Sequence, residues 1–140
     1  MSLSIRNRLA GTVTEITTGA AMGTVSIDVT GGQRVTAAVT MDAVKDLGIS
    51  VGSAVGILIK STEVSLTTGA VAGLSIRNQL PGTVSRLETG DAMTVAHIAL
   101  DGGGEITAAI TRAAATDLGL ASGSTVTALI KSTEVALSAA

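Results

Sequence analysis

The sequence predicts an all-β fold, mainly β with one short helix per repeat, built from two tandem five-stranded barrels. Two observations lead to this prediction. The chain of 140 residues contains a tandem repeat. Leu3–Asn7 recurs as Leu74–Asn78 and Leu58–Val64 recurs as Leu129–Val135, each 71 positions later. Within each copy, short segments rich in β-branched residues alternate with glycine-containing turns.

The first half of each copy predicts three strands. In the first copy they are Leu3–Ile16, Thr24–Thr30 and Arg34–Thr40, all rich in Val, Ile and Thr. Gly31-Gly32 separates the second strand from the third and indicates a hairpin turn.

The second half of each copy predicts one helix and two further strands. Met41–Gly48 carries apolar residues at helical spacing and ends in glycine, which indicates a short helix. Strands Ala54–Ile59 and Glu63–Leu66 are then expected to close the same unit. Three strands, a helix and two strands is the element order of an OB-like barrel, whose closure removes exposed edges.

The repeat divides the chain into two domains of about 65 residues. We expect the first domain to span residues 1–68 and the second to span residues 74–140. The small-residue segment 69–73 is the predicted linker.

The composition predicts a soluble oligomer that does not associate with membranes. Only 14% of the residues are charged, compared with about 25% in an average soluble protein, so subunits are expected to bury apolar surface against each other. Its apolar runs fall far short of the roughly 20 residues that a spanning helix needs. Charges near the N-terminus lie where a secretory signal needs apolar residues, so we expect a cytoplasmic location.

Two polar motifs are retained in both copies and are candidate binding segments. Ser4–Asn7 offers a hydroxyl, a guanidinium, an amide and backbone N–H groups, all donors suited to an oxyanion. Lys60-Ser61-Thr62 adds an ammonium group and two hydroxyls. The alternatives are that Arg6 and Arg77 form surface ion pairs beside a capped turn, and that Lys60–Thr62 is a polar hairpin turn.

These motifs resemble the Mop domain of molybdate-binding proteins. The resemblance rests on Ser75–Gly82 (SIRNQLPG) and Ile59–Val64 (IKSTEV) with their counterparts, and it covers nearly the whole chain. The tandem arrangement is similar to that of two-domain molbindins. It implies OB-like domains, a homotrimer carrying six Mop domains, and sites for molybdate, with tungstate as a close analogue, at domain and subunit interfaces. The implied role is non-catalytic oxyanion storage and homeostasis, with no cofactor and no bare metal ion.

The resemblance also implies which residues bind molybdate. Ala43 and Ala114 stand where relatives often carry serine, so each contributes only its backbone N–H. Thr62 and Thr133 are not counted among the ligands. The implied set is Ser4, Arg6, Asn7, Thr40, Ala43, Lys60 and Ser61 in the first copy, and Ser75, Arg77, Asn78, Thr111, Ala114, Lys131 and Ser132 in the second.

Other function classes have weaker support. The single histidine, His97, replaces Ser26 of the first copy, and no nucleophile-elbow motif is present, so we do not expect an enzyme. A nucleic-acid partner is not expected, because single-strand binding by OB folds relies on aromatic stacking and the chain has no Phe, Tyr or Trp. The alternatives that remain are a structural oligomerisation module and an OB-type nucleic-acid binder without molybdate binding.

Overall fold

The computed structural model describes residues 2–139 and consists of two curled five-stranded sheets. This confirms the predicted mainly β, OB-like fold. The first repeat contains β1 (Asn7–Thr17), β2 (Met22–Val29), β3 (Arg34–Thr40), α1 (Met41–Leu47), β4 (Ala54–Ile59) and β5 (Ser65–Thr67). The second contains β6 (Asn78–Thr89), β7 (Met93–Leu100), β8 (Glu105–Thr111), α2 (Arg112–Asp117), β9 (Thr125–Ile130) and β10 (Ala136–Ala139).

The predicted elements occur in the predicted order, with small shifts at their ends. Strands β3 and β4 have the expected bounds. Strand β1 begins at Asn7 rather than Leu3, so residues 3–6 form an irregular segment in front of it. That shift leaves residues 4–6 of the polar motif outside the strand's hydrogen-bond ladder.

The short helices follow from their caps. Thr40 precedes α1 in an extended conformation, and its hydroxyl oxygen accepts a hydrogen bond from the Ala43 N–H at 3.1 Å. Gly48 ends the helix with a left-handed φ of 63°, which glycine adopts without strain. Thr111 caps α2 in the same way through Ala114.

The two repeats exchange their last strands. The sheet orders are β10-β4-β1-β2-β3 and β5-β9-β6-β7-β8, so β5 pairs with β9 and β10 pairs with β4. The prediction that Glu63–Leu66 closes its own unit is therefore wrong. The chain leaves β4 through a 3-10 turn at Ser61–Glu63 and crosses to the other sheet. Lys60–Thr62 is consequently a crossover and not a hairpin turn.

One continuous apolar core joins the repeats. Strand side chains alternate between the core and the solvent, as in β2, where Val25 and Ile27 are fully buried. Buried residues of both repeats belong to a single cluster, which includes Val64 and Val135 beside the exchanged strands. Strand exchange thus makes the two repeats one packing unit. No helix in residues 2–139 is long and apolar enough to cross a membrane.

Candidate functional site

The two polar motifs of the first repeat meet because β1 and β4 are antiparallel neighbours. Asn7 at the start of β1 pairs with Ile59 at the end of β4. The residues before β1 and after β4 therefore lie next to each other at the same end of the two strands. Asn78 and Ile130 pair in the same way in the second repeat. In the first repeat the two segments enclose a cavity of about 220 Å³, lined by Ser4, Ile5, Arg6, Lys60, Ser61 and Thr62.

The arginine side chain of each motif donates hydrogen bonds to backbone carbonyls of its own loop. Arg6 donates from Nε to the Ser4 carbonyl at 3.1 Å and from Nη2 to the Leu3 carbonyl at 3.0 Å. Arg77 makes a longer contact of 3.5 Å to the Leu74 carbonyl. Within residues 2–139, no carboxylate pairs with Arg6, Arg77, Lys60 or Lys131. The surface ion pairs considered as an alternative are thus not found in the described part of the chain.

Asn7 and Asn78 are buried and connect the two repeats. Asn7 accepts a hydrogen bond from the Thr107 N–H at 2.7 Å and donates to the Thr107 carbonyl at 2.8 Å. Asn78 makes the same pair of bonds to Thr36, at 2.7 and 2.8 Å. Each asparagine thereby fixes the start of its strand, and with it the donor loop, against the opposite sheet.

The two motif serines differ in their surroundings. The Ser61 hydroxyl lies 2.6 Å from the Thr107 hydroxyl of the other repeat. The Ser132 Oγ is buried and has no hydrogen-bond partner among the described residues. A buried hydroxyl without a partner is costly, so the Ser132 hydroxyl is available to bond a ligand.

Thr40 and Ala43 line a different cavity from the cationic motifs. That cavity measures about 340 Å³ and is mostly apolar, with Val135 and Leu137 of the other repeat in its wall. The Thr40 hydroxyl oxygen already accepts the Ala43 N–H, which leaves the hydroxyl proton free to donate outward. Thr111 lines a further cavity beside α2. A single chain therefore gathers Ser4, Arg6, Lys60 and Ser61 into one cavity and places Thr40 and Ala43 in another.

The sequence indicated sites at domain interfaces but not which residues of the opposite repeat lie next to Lys60. Lys60 also lines a cavity of about 200 Å³ together with Thr133 and Glu134. Thr36 and Thr107, which anchor the asparagines, were not singled out either. The available signal was their retention at the repeat offset, since threonine stands at both positions.

His97 lies away from the motif residues, on β7. Its Nδ1 is 3.2 Å from a Glu105 carboxylate oxygen, and its Nε2 is 3.5 Å from one of Glu88. His97 is therefore a strand residue bordered by two carboxylates and separate from the paired motifs. Across residues 2–139, no group of three or more His, Asp or Glu side chains is arranged to hold a metal ion.

Comparison with known sequences identifies the domain type and its relatives. The family model for the TOBE domain matches residues 3–66 and again residues 74–137. The molybdenum transport protein ModE of Herbaspirillum seropedicae is 40% identical over 94% of this chain and 49% of its own length. The molybdenum-pterin-binding protein MopA of Rhodobacter capsulatus is 38% identical over 98% of this chain and 52% of its own. The chain thus spans about half the length of these two relatives.

Comparison with solved structures extends the likeness to the whole chain. The crystal structure of the cytoplasmic molybdate-binding protein ModG, in a form with molybdate bound, superimposes with a TM-score of 0.97. The two proteins are 37% identical, and the match covers 100% of both chains. Tandem TOBE domains, Mop-type relatives and this end-to-end likeness agree with one another. The chain belongs to the TOBE-domain family, as a molbindin with two tandem Mop domains.

Proposed function

We propose that this protein binds molybdate without catalysis and holds it in the cytoplasm as a store and buffer. The observation that carries the proposal is the cavity where Arg6 and Lys60 meet the hydroxyls of Ser4 and Ser61. Neither cation is paired with a carboxylate in residues 2–139. ModE and MopA are molybdenum proteins by name, and ModG is a cytoplasmic molybdate-binding protein, which supports both the ligand and the location.

The chemistry of the donor set suits a tetrahedral dianion. Molybdate carries four acceptor oxygens and is held by N–H and O–H donors. Charged donors make stronger hydrogen bonds to oxyanions than neutral donors do, and hydroxyl and backbone groups define the shape of the site. Two donors of Arg6 are used within its own loop, so it positions the cage and contributes charge at the same time. Tungstate has nearly the same size and charge and is expected to bind similarly.

We further propose that the sites are completed at interfaces in a homotrimer with six Mop domains. Thr40 and Ala43 belong to the proposed ligand set but line a separate cavity of the same chain. In the proposed trimer, Thr40 and Ala43 of one subunit lie against Ser4 and Lys60 of a second subunit, which brings all the proposed ligands into one site. The exposed methionines Met22 and Met93 give this assembly apolar surface to bury.

Isothermal titration of the full chain with molybdate, in buffer containing excess sulfate, tests the binding proposal. The wild type is expected to bind saturably. The Arg6→Ala/Arg77→Ala and Lys60→Ala/Lys131→Ala double variants are each expected to lose about tenfold or more in affinity, because each removes one charge-assisted donor per repeat.

Arg34→Ala/Arg86→Ala is the matched control, since it also removes two arginines, both of which are exposed and lie in surface ion pairs. This control is expected to bind as the wild type does. Equal weakening in the control would show that only net charge matters, and wild-type affinity in both site variants would overturn the assignment. No molybdate binding by the wild type would leave a structural oligomerisation module.

A further inference from the structure

The second repeat contains a polar cavity that the proposed molybdate site does not use. It lies between the end of β6, the start of β7 and helix α2, and it measures about 200 Å³. Thr89 and Thr94, which pair across β6 and β7, form one side. Arg112 and Thr116 of α2 form the other.

Thr94 is a buried donor without a partner. Its side chain is fully buried, with a relative exposure of 0%, and its hydroxyl makes no hydrogen bond to the described residues. Leaving a buried hydroxyl unpaired costs about 1–3 kcal/mol, so the site favours a ligand that accepts this hydrogen bond.

Arg112 provides an available positive charge at the same cavity. Its guanidinium has no ion pair or hydrogen bond within residues 2–139. The Thr116 hydroxyl already donates to the Arg112 carbonyl at 3.1 Å, so Thr116 forms a wall and is not a free donor. Asp91 and Asp117 border the adjoining cavity that Arg112 also lines. Neither carboxylate lines the proposed cavity itself.

The first repeat fills the same place with apolar groups. The residues at the positions of Thr94, Arg112 and Ala115 are Gly23, Met41 and Val44. A Cβ placed on Gly23 would lie 2.8 Å from the Met41 Sδ, so the methionine covers the space that the Thr94 side chain occupies in the second repeat. Met41 packs against the core there. The combination of a buried threonine and an arginine is therefore found at this place in the second repeat and not in the first.

We propose that this cavity binds a small anion with at least two acceptor oxygens, either a small carboxylate or a tetrahedral oxyanion. Arg112 pairs with the charge of the ligand, and the hydroxyls of Thr94 and Thr89 donate to its oxygens. The cavity itself contains none of the proposed molybdate ligands, although Arg112 also lines the adjoining cavity with Thr111, so it adds a class of anion site that occurs once per chain.

NMR titration of the full-length, ¹⁵N-labelled protein tests this proposal, with sodium acetate and sodium sulfate as separate probes at constant ionic strength. Saturable shifts are expected at the amides of residues 87–95 and 112–120. Arg112→Met and Thr94→Gly each install the residue of the first repeat. Each is expected to weaken binding about tenfold or more, because each removes a donor to the anion.

The control Arg34→Ala removes an exposed arginine elsewhere and is expected to leave the titration unchanged. Saturation by acetate alone supports a carboxylate ligand, and saturation by sulfate supports a tetrahedral oxyanion. Linear shifts with both probes, or wild-type affinity in Arg112→Met, would overturn the proposal and leave a cavity that holds only water. Molybdate titration of Thr94→Gly separates the two proposals, since Thr94 is outside the proposed molybdate ligand set and the molybdate sites are expected to keep their affinity.

Discussion

Asn7 and Asn78 show how one motif residue can serve the fold and the site together. Each lies next to a proposed anion donor in sequence, yet its amide is bonded to the backbone of a threonine in the opposite repeat. The proposed ligands Arg6 and Arg77 are the residues immediately before them. Retention of asparagine in both copies therefore has a structural reason within the proposed binding motif.

Asn7→Ala is expected to lower the free energy of unfolding by about 2–4 kcal/mol, because both the N–H and the carbonyl of Thr107 lose their partner. Urea denaturation at a fixed protein concentration measures this change. Asn78→Ala is expected to behave alike. Arg34→Ala, which breaks an exposed ion pair, is the control and is expected to change stability by less than about 1 kcal/mol. A similar loss in all three variants would contradict the prediction.

Gly31 and Gly102 allow the hairpin turns of the two repeats to touch. A Cβ on Gly102 would collide with the Gly31 carbonyl oxygen, and the reverse also holds. Gly102→Ala is expected to destabilise the protein by about 1–3 kcal/mol through this clash.

Gly103→Ala separates the clash from backbone strain, because Gly103 has a φ of +105° and a Cβ added there would meet nothing within 4 Å. Thermal unfolding of the two single variants and of Gly102→Ala/Gly103→Ala measures both effects. If contact between the turns is the cause, Gly102→Ala alone is expected to alter amide shifts around Gly31.

At the scale of elements, strand exchange shapes both the fold and the site. The 3-10 turn after β4 sends β5 to the other sheet, and the same turn carries Ser61, whose hydroxyl meets Thr107 of that sheet. The Lys-Ser-Thr motif is therefore fixed by the crossover itself. This motif lies next to Ser4–Arg6 because of the register between β1 and β4. The sequence predicted where the two strands end but not that they pair.

Removal of residues 136–140 is expected to expose the outer edge of β4, since β10 pairs with β4 of the first repeat. Hydrogen exchange measured by NMR is expected to show faster exchange in Ala54–Ile59 than in Thr125–Ile130, because β9 keeps its partner β5. Faster exchange in β9 instead would mean that each repeat closes on its own last strand. The untruncated chain is the reference.

At the scale of the whole molecule, the surface remains partly apolar after folding. Met22 and Met93 occupy equivalent positions and are 47% and 44% exposed, and Met22 lines the apolar cavity beside Thr40. The low content of charged residues predicted buried surface between subunits. The exposed methionines indicate where that buried surface lies, and Met22 places it next to the proposed ligand Thr40.

Met22→Glu/Met93→Glu is expected to dissociate the proposed trimer, because burying a carboxylate in an apolar interface costs several kcal/mol. Sedimentation velocity measures the mass, and circular dichroism checks that the fold is retained. Met22→Leu/Met93→Leu keeps the apolar surface and is expected to assemble as the wild type does. An unchanged mass for the glutamate variant would place both methionines outside the interface.

The sequence by itself determined the features that depend on short-range pattern. Alternating β-branched residues, glycine turns and the Gly48 that ends the helix predicted the order of strands and helices, and the repeat located the paired motifs. Only the tertiary structure decided which sheet β5 joins, because two repeats with the same strand pattern offer β5 similar edges. The same holds for the asparagine bonds across the repeats, for the separation of Thr40 from Lys60, and for the polar cavity at Thr94. Each depends on contacts between residues that are distant in sequence, and the local sequence pattern does not predict such contacts.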